Sequence, residues 1–160
     1  MTMWTILLTA AMQVAGGPVQ AVEEPVAPYV QSPANAGAKP FKGDGMWQAF
    51  HEAEGVERIV DEMLRRSEAD PRIADIFQGQ DPIRLRRTLR EQFCYLLGGG
   101  CTYTGRSMKD AHRDMGLQQA DMAALVEHLQ AAMRKEAVPF GAQNRFLAKL
   151  APMKRQIVER

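Results

Sequence analysis

Residues 103–112 read YTGRSMKDAH, a segment that ends on His112. Ser107 and Asp110 have the spacing of a capping box, which predicts a short helix that holds the histidine. Met108 lies one turn before His112, and Met115 lies nearly one turn after it. A neutral imidazole beside an apolar, methionine-rich wall is a suitable iron ligand, but a buried histidine with a structural role would have the same neighbours. The residues alone leave both interpretations open.

Two further histidines, His51 and His128, lie in predicted helical regions. Both are interpreted as surface or partly buried residues without a direct functional role. The chain contains no HxxxH or HExxH motif and no Cys/His cluster, which disfavours a zinc site. No glycine-rich phosphate loop follows a strand, and no Ser/His/Asp order indicates acyl transfer.

Helical patterns flank the segment on both sides. Asp81 and Pro82 predict a helix start, because aspartate caps free amides and proline fits the first turn. Gly98 to Gly100 end that helix, since glycine accepts the left-handed stop conformation. No alternating strand pattern persists, so an all-α domain is expected. The other amphipathic stretches are residues 53–69, residues 119–136 and a last helix from Pro139, which Pro152 should kink.

The composition is that of an ordinary globular chain. It has 160 residues, a formal net charge of +1, 46% hydrophobic residues and 24% charged residues. That length is enough for one domain. The near-neutral charge predicts no nucleic-acid partner, because such partners select a basic surface.

The first 45 residues differ from the rest. Residues 4–15 form an apolar stretch that is too short to span a bilayer but suits a signal peptide. Small residues at Val19 and Ala21 predict cleavage before Val22, although no lysine or arginine precedes Lys39. We therefore expect a signal peptide at residues 1–21, a periplasmic or secreted protein and no transmembrane helix in its mature form. The alternative is a cytoplasmic protein that starts at Met46.

Residues 22–45 are rich in proline, alanine and glycine. Such a composition predicts a linker without regular structure. The remainder of the chain, residues 46–160, is expected to form the folded domain.

Cys94 and Cys101 are the two cysteines of the chain, seven residues apart. An exported protein could bridge them across the intervening glycines. The sequence does not decide between this bridge and two free thiols. Since no CxxCH motif occurs, covalent c-type attachment of haem is not indicated.

Residues from about Gly55 to Val158 resemble the truncated haemoglobins, and within that family its group I. Residues 103–112 are similar to the family motif "YTGR.M..AH", whose histidine binds iron. Two further matches are Ala69-Asp70-Pro71 followed by Ile76-Phe77-Gln78-Gly79, and the glycine pair Gly98-Gly99. The resemblance implies an all-α, two-over-two helical sandwich that holds one non-covalent haem b.

The resemblance also implies the roles of individual residues. His112 corresponds to the iron ligand, and Arg87 is the preferred partner of a haem propionate, with Lys109 or Arg113 as alternatives. Leu64, Leu85 and Leu89 stand where the family often has a tyrosine and glutamines over the iron, so the pocket there should be apolar. The other residues expected to contact haem are Phe77, Phe93, Met108, Met115, Leu117 and Leu125.

The expected function is reversible binding of a diatomic gas, O2, NO or CO, as in oxygen transport. An apolar pocket lacks the donor that would strengthen O2 binding by about 1–3 kcal/mol, which disfavours tight O2 storage and NO oxidation. Thr88 and Gln92 flank Leu85 and Leu89 and are the only nearby polar candidates for such a donor on that helix. The alternatives are a haem enzyme for NO detoxification or peroxidase chemistry, a gas or redox sensor, and a haem-free interaction module. We further expect a separate reductase and a monomer or weak dimer.

Overall fold

The computed structural model describes residues 22–158, and every regular element in that range is helical. The predicted all-α class is therefore confirmed. The signal-peptide prediction at residues 1–21 lies outside the described residues. The α-helices are α1 (Gly45–Ala49), α2 (Glu52–Ala69), α3 (Ala74–Phe77), α4 (Pro82–Leu97), α5 (Met108–Ala111), α6 (Gln119–Lys135), α7 (Phe140–Leu150) and α8 (Lys154–Ile157).

The ends of α4 follow the local signals. The Asp81 carboxylate accepts hydrogen bonds from the backbone N–H groups of Ile83 and Arg84, at 2.9 and 3.1 Å. Pro82 occupies the first turn, and Gly98 ends the helix in the left-handed region with a φ of 88°. Because these signals act within a few residues, the sequence predicts them well.

The core forms where α2 packs against α4 and α6. The buried face of α2 includes Val56, Ile59, Val60 and Met63. Phe146 of α7 lies at the centre of an aromatic cluster, with ring centroids 5.1 Å from Phe50 and 4.9 Å from Phe93 in edge-to-face geometry. Pro152 does more than kink the last helix, because α7 ends at Leu150, before a 3₁₀ turn and α8.

The segment predicted as a linker, residues 22–45, has little regular structure before α1, but it packs against the rest of the domain. Ala36 is fully buried, and a 3₁₀ turn forms at Pro33–Ala36 with Ser32 as its cap. The Phe41 N–H donates to the carbonyl of Leu96 at 2.8 Å. Composition gave no sign of this packing, because it does not account for tertiary partners, which α4 and the segment before His112 supply here.

The cysteine alternatives are decided in favour of a bridge. Cys94 and Cys101 form a disulfide, with their Cα atoms 5.7 Å apart. The bridge closes the glycine turn between the end of α4 and the chain that leads to His112. Among the helices of residues 22–158, none combines the length and apolarity needed to cross a bilayer.

Candidate functional site

His112 lies directly after α5, with its imidazole held from one side. Its Nδ1 is 2.7 Å from the carbonyl oxygen of Met108. Because a carbonyl only accepts, Nδ1 carries the proton and Nε2 keeps its lone pair. Burial lowers the pKa of His112 below its usual value, although the bond to Met108 opposes that shift. Nε2 makes no hydrogen bond to any residue of the described range, so it is suited to ligate a metal.

The contacts made by residues 103–107 explain why the motif that ends on His112 contains a tyrosine, a glycine and a serine. Tyr103 is 4% exposed, and its hydroxyl donates to the Arg106 carbonyl at 2.9 Å. A Cβ on Gly105 would lie 2.2 Å from that hydroxyl oxygen. The Ser107 hydroxyl accepts from the backbone of Asp110 at 3.1 Å, which caps α5 as predicted. Tyrosine, glycine and serine therefore build the turn that presents the imidazole.

Tyr103 has a structural role and is not a proton donor to a ligand. Burial raises its pKa to about 12. Its hydroxyl hydrogen is already used within the turn.

Most of the predicted apolar contacts meet in one cluster. Leu64, Phe93 and Met108 belong to the buried core. The partly buried side chains packed against it include Phe77, Leu85, Leu89 and Leu125. Met115 and Leu117 lie outside this cluster, although Leu117 is buried. The direct contact of each of these residues with a cofactor stays a prediction.

The two polar side chains nearest the leucine face of α4 are held by the protein itself. The Thr88 hydroxyl donates to the Arg84 carbonyl one turn earlier, at 2.9 Å. The Gln92 Nε2 donates to the carbonyl of Ala36 at 3.0 Å. Neither group is presented as a free donor, which leaves Leu85 and Leu89 as the surface that α4 offers here.

Arg87 is bound to two carboxylates. It pairs with Glu23 from the N-terminal segment and with Glu91 one turn later at 2.9 Å, and it also donates to Thr104. These partners raise the pKa of Arg87, the Glu23 hydrogen bond most of all. Of the alternatives for a propionate, Arg113 pairs with Asp110 on the surface. The propionate role of Arg87 stays a prediction, and it would have to compete with Glu23.

The other two histidines contact carboxylate side chains. His51 contacts Glu136 at 3.1 Å on the surface. His128 bridges Asp70, at 3.0 Å from Nε2, and Ser67, at 3.0 Å from Nδ1. This network joins the end of α2 to α6 and gives Asp70 a structural role. Sequence reasoning missed it, because no local spacing relates positions 70 and 128.

Comparison with known proteins identifies the family. A family model described as "Bacterial-like globin" matches residues 46–159. The chain belongs to the bacterial-like globins. The group 1 truncated haemoglobin GlbN of Mycolicibacterium paratuberculosis is 30% identical over 104 residues, which are 65% of this chain and 76% of the relative. Its counterpart in Nostoc sp. is 30% identical over 105 residues, 66% of this chain and 89% of the relative.

Solved structures confirm the predicted two-over-two fold. The Fe(III) form of truncated haemoglobin from Tetrahymena pyriformis has a TM-score of 0.69 and 21% identity, and the match covers 72% of this chain and 98% of that protein. The cyanomet two-over-two haemoglobin of Synechococcus sp. has a TM-score of 0.67 at 21% identity, with the same coverage. That protein carries covalently attached haem.

Membership of the bacterial-like globins implies a haem-binding protein, and the donor set of this chain fits that group. A globin holds haem iron through one histidine. His112 supplies a neutral imidazole with Nδ1 hydrogen-bonded and Nε2 available. Partly buried apolar side chains on α3, α4 and α6 would supply the hydrocarbon surface that a porphyrin requires.

Proposed function

We propose that this globin binds one haem b non-covalently through Nε2 of His112 and that the iron reversibly binds a diatomic gas. The observation that carries the proposal is the imidazole geometry. A backbone carbonyl holds Nδ1–H, and burial keeps the ring neutral, so that the lone pair of Nε2 is available. The hydrogen bond to Met108 both fixes the tautomer and raises the basicity of the ligand.

The test uses absorption spectra of the full chain in the ferric, ferrous and CO-bound states. His112→Ala should lose the spectrum of a histidine-ligated haem, and added imidazole should restore it in part. His51→Ala is the matched control, because His51 is exposed and paired with Glu136. An unchanged spectrum in His112→Ala would exclude this ligand.

Non-covalent attachment is supported by the state of the cysteines. Both are in the disulfide, so neither thiol is available to a vinyl group. We expect acidified butanone to extract the haem completely. Haem that remains with the protein after extraction would instead indicate a covalent bond, as in the Synechococcus relative.

The apolar residues of α2 and α4 support weak rather than tight O2 binding. Leu64, Leu85 and Leu89 carry no donor, and the side chains of Thr88 and Gln92 bond to backbone carbonyls. Bound O2 carries partial negative charge and gains from a hydrogen bond. We therefore infer that CO, which needs no donor, binds in preference to O2. Stopped-flow rates for both gases check this, and slow O2 release would contradict it.

Export from the cytoplasm is the second part of the proposal. The Cys94–Cys101 disulfide supports it, because such bonds persist in oxidising compartments. Fractionation of expressing cells, with mass spectrometry of the mature protein, should find a periplasmic chain that begins at Val22. The separate reductase and the monomeric or weakly dimeric state also stay predictions, and sedimentation analysis would measure the latter.

A further inference from the structure

The N-terminal strap, residues 23–41, packs along α4 and the segment before His112. At one end Glu23 pairs with Arg84 and Arg87 of α4. At the other end the Phe41 N–H bonds to the Leu96 carbonyl at 2.8 Å. The strap lies outside residues 46–159, which the family model matches. It is therefore an addition to the globin domain that contacts α4 along most of its length.

The strap also contacts the turn that precedes α5. The Tyr29 hydroxyl donates to the Thr104 carbonyl at 2.8 Å. The side-chain amide of Asn35 donates to the Gly105 carbonyl at 3.2 Å. Both acceptors belong to the motif that ends on His112. The strap thus joins α4, which carries Leu85 and Leu89, to the segment that carries His112.

Gln92 is the buried centre of this arrangement. It lies on α4 and is 7% exposed. Its Nε2 donates to the Ala36 carbonyl of the strap at 3.0 Å and lies 3.2 Å from the Met108 sulfur. A carbonyl and a thioether are both acceptors, which assigns the amide nitrogen rather than the oxygen to this side. The side chain of Gln92, which belongs to α4, therefore contacts both the strap and α5.

Met108 connects Gln92 to the iron ligand. Its sulfur faces the Gln92 amide, and its backbone carbonyl accepts the Nδ1–H of His112 at 2.7 Å. A shift of Met108 would move the acceptor that orients the imidazole. Partners beyond the direct ligand are known to alter metal affinity when they orient that ligand.

We propose that Gln92 is a positioning residue, which with the N-terminal strap holds Met108 and through it fixes the orientation of His112. This inference rests on the proposed function, since the orientation matters to a bound haem. It gives the strap a role in haem retention and in the strength of the iron–histidine bond. It also explains why a polar side chain on α4 is not used as a donor to the gas.

Gln92→Met tests the proposal, because methionine keeps the length of the side chain but cannot donate. Gln143→Met is the matched control. Gln143 is 6% exposed and also donates to a backbone carbonyl, that of Val138 at 2.8 Å, but its side chain makes no hydrogen bond to the strap or to Met108. Both variants lose one buried hydrogen bond, so both should be destabilised to a similar degree.

Two readouts separate positioning from simple destabilisation. In the haem-loaded full chain, Gln92→Met should release haem to an acceptor globin about tenfold faster and shift the iron–histidine stretching frequency in resonance Raman spectra. In the haem-free chain, the Nδ1 proton of His112 should exchange faster with solvent in NMR spectra. Gln143→Met should leave the stretching frequency and the exchange rate as in the wild type.

Equal effects of the two variants on all these readouts would overturn the positioning role. A wild-type chain that takes up no haem would overturn the proposed function, and the proton exchange of His112 would then decide the positioning role alone. If Gln92→Met does not fold, Tyr29→Phe replaces it. Tyr95→Phe is its control, because Tyr95 is also partly buried and its hydroxyl makes no hydrogen bond to the described residues. Removal of the Tyr29 hydroxyl should change the same readouts in the same direction, and no change would contradict the role of the strap.

Discussion

The proximal segment, residues 103–112, is held by hydrogen bonds, whereas the face of α4 around Leu85 and Leu89 offers only hydrocarbon. In the proximal segment Tyr103, Ser107 and His112 each bond to a nearby backbone group. On α4 the polar side chains of Thr88 and Gln92 bond to backbone carbonyls instead. Under the proposed function, the polar groups of this globin orient the iron ligand, and the gas side has no hydrogen-bond donor.

The largest expected effect concerns the disulfide, which connects the end of α4 to the chain that enters the proximal segment. Replacement of Cys94 and Cys101 by alanine should lower the free energy of unfolding by about 2–3 kcal/mol, because the unfolded chain gains the freedom of the opened loop. Urea titration of the apoprotein measures the loss. Reductant should destabilise the wild type equally and leave the variant unchanged. A variant as stable as the oxidised wild type would show that the disulfide does not stabilise the connection between α4 and the proximal segment.

Gly105→Ala should break the proximal segment while the leucine face of α4 stays intact. The added Cβ would lie 2.2 Å from the Tyr103 hydroxyl oxygen and 2.4 Å from Cζ of the same buried ring. Overpacking of this kind costs about 2 kcal/mol. Chemical denaturation measures the cost, and haem affinity should fall with it. Gly141→Ala is the control, since beyond its chain neighbours and the backbone of α7 no atom lies within 4 Å of its added Cβ. Equal stability of the two variants would refute the steric role of Gly105.

Leu89→Gln should make the leucine face of α4 more like the proximal segment, because it adds a hydrogen-bond donor to that face. If the amide reaches the bound gas, O2 dissociation should slow by roughly 5- to 30-fold, which corresponds to about 1–2 kcal/mol. Laser photolysis and stopped-flow mixing give the rates. Leu89→Met has a similar length without a donor and should release O2 at the wild-type rate. Slowing in both variants would mean that side-chain shape, rather than hydrogen bonding, controls release.

The smallest expected effect is the pH dependence that His112 gives the apoprotein. Burial lowers its folded-state pKa below the usual value of 6.5. Between the two pKa values the unfolded chain binds more protons, so the stability should fall as the pH decreases below about 6.5. Thermal unfolding of the apoprotein across this range checks the slope. His112→Ala should have a shallower slope, and identical slopes would show that His112 is not buried in neutral form.

Local sequence signals predicted much of the helical framework and the iron ligand. Asp81 and Pro82 start α4, Gly98 ends it, and Ser107 caps α5, each through groups within three residues. The motif at residues 103–112 carried the family resemblance, and the structure supplies its physical basis in the turn built by Tyr103 and Gly105. These features were predictable because the atoms that stabilise them are close along the chain.

The strap, the disulfide and the polar networks depend on residues far apart in sequence. Composition suggested a linker at residues 22–45, but Gln92 and Arg87 supply partners for Ala36 and Glu23 that no local pattern reveals. The spacing of Cys94 and Cys101 allowed both a bridge and free thiols, and only the path of the glycine turn brings them together. Thr88 and Gln92 were candidate donors by position on α4, and their hydrogen bonds remove them from that role.

The sequence by itself determined the all-helical class and both ends of α4, and its motif at residues 103–112 singled out His112 as the candidate iron ligand, because caps, periodicity and a short motif act over a few residues. Only the tertiary structure decided which polar groups remain free. A hydrogen-bond donor is used or available according to what packs beside it, and here the strap and α5 occupy the Gln92 amide and the Met108 carbonyl occupies Nδ1 of His112. Nε2 of His112 has no such partner among the described residues, and this leaves it available for the proposed iron.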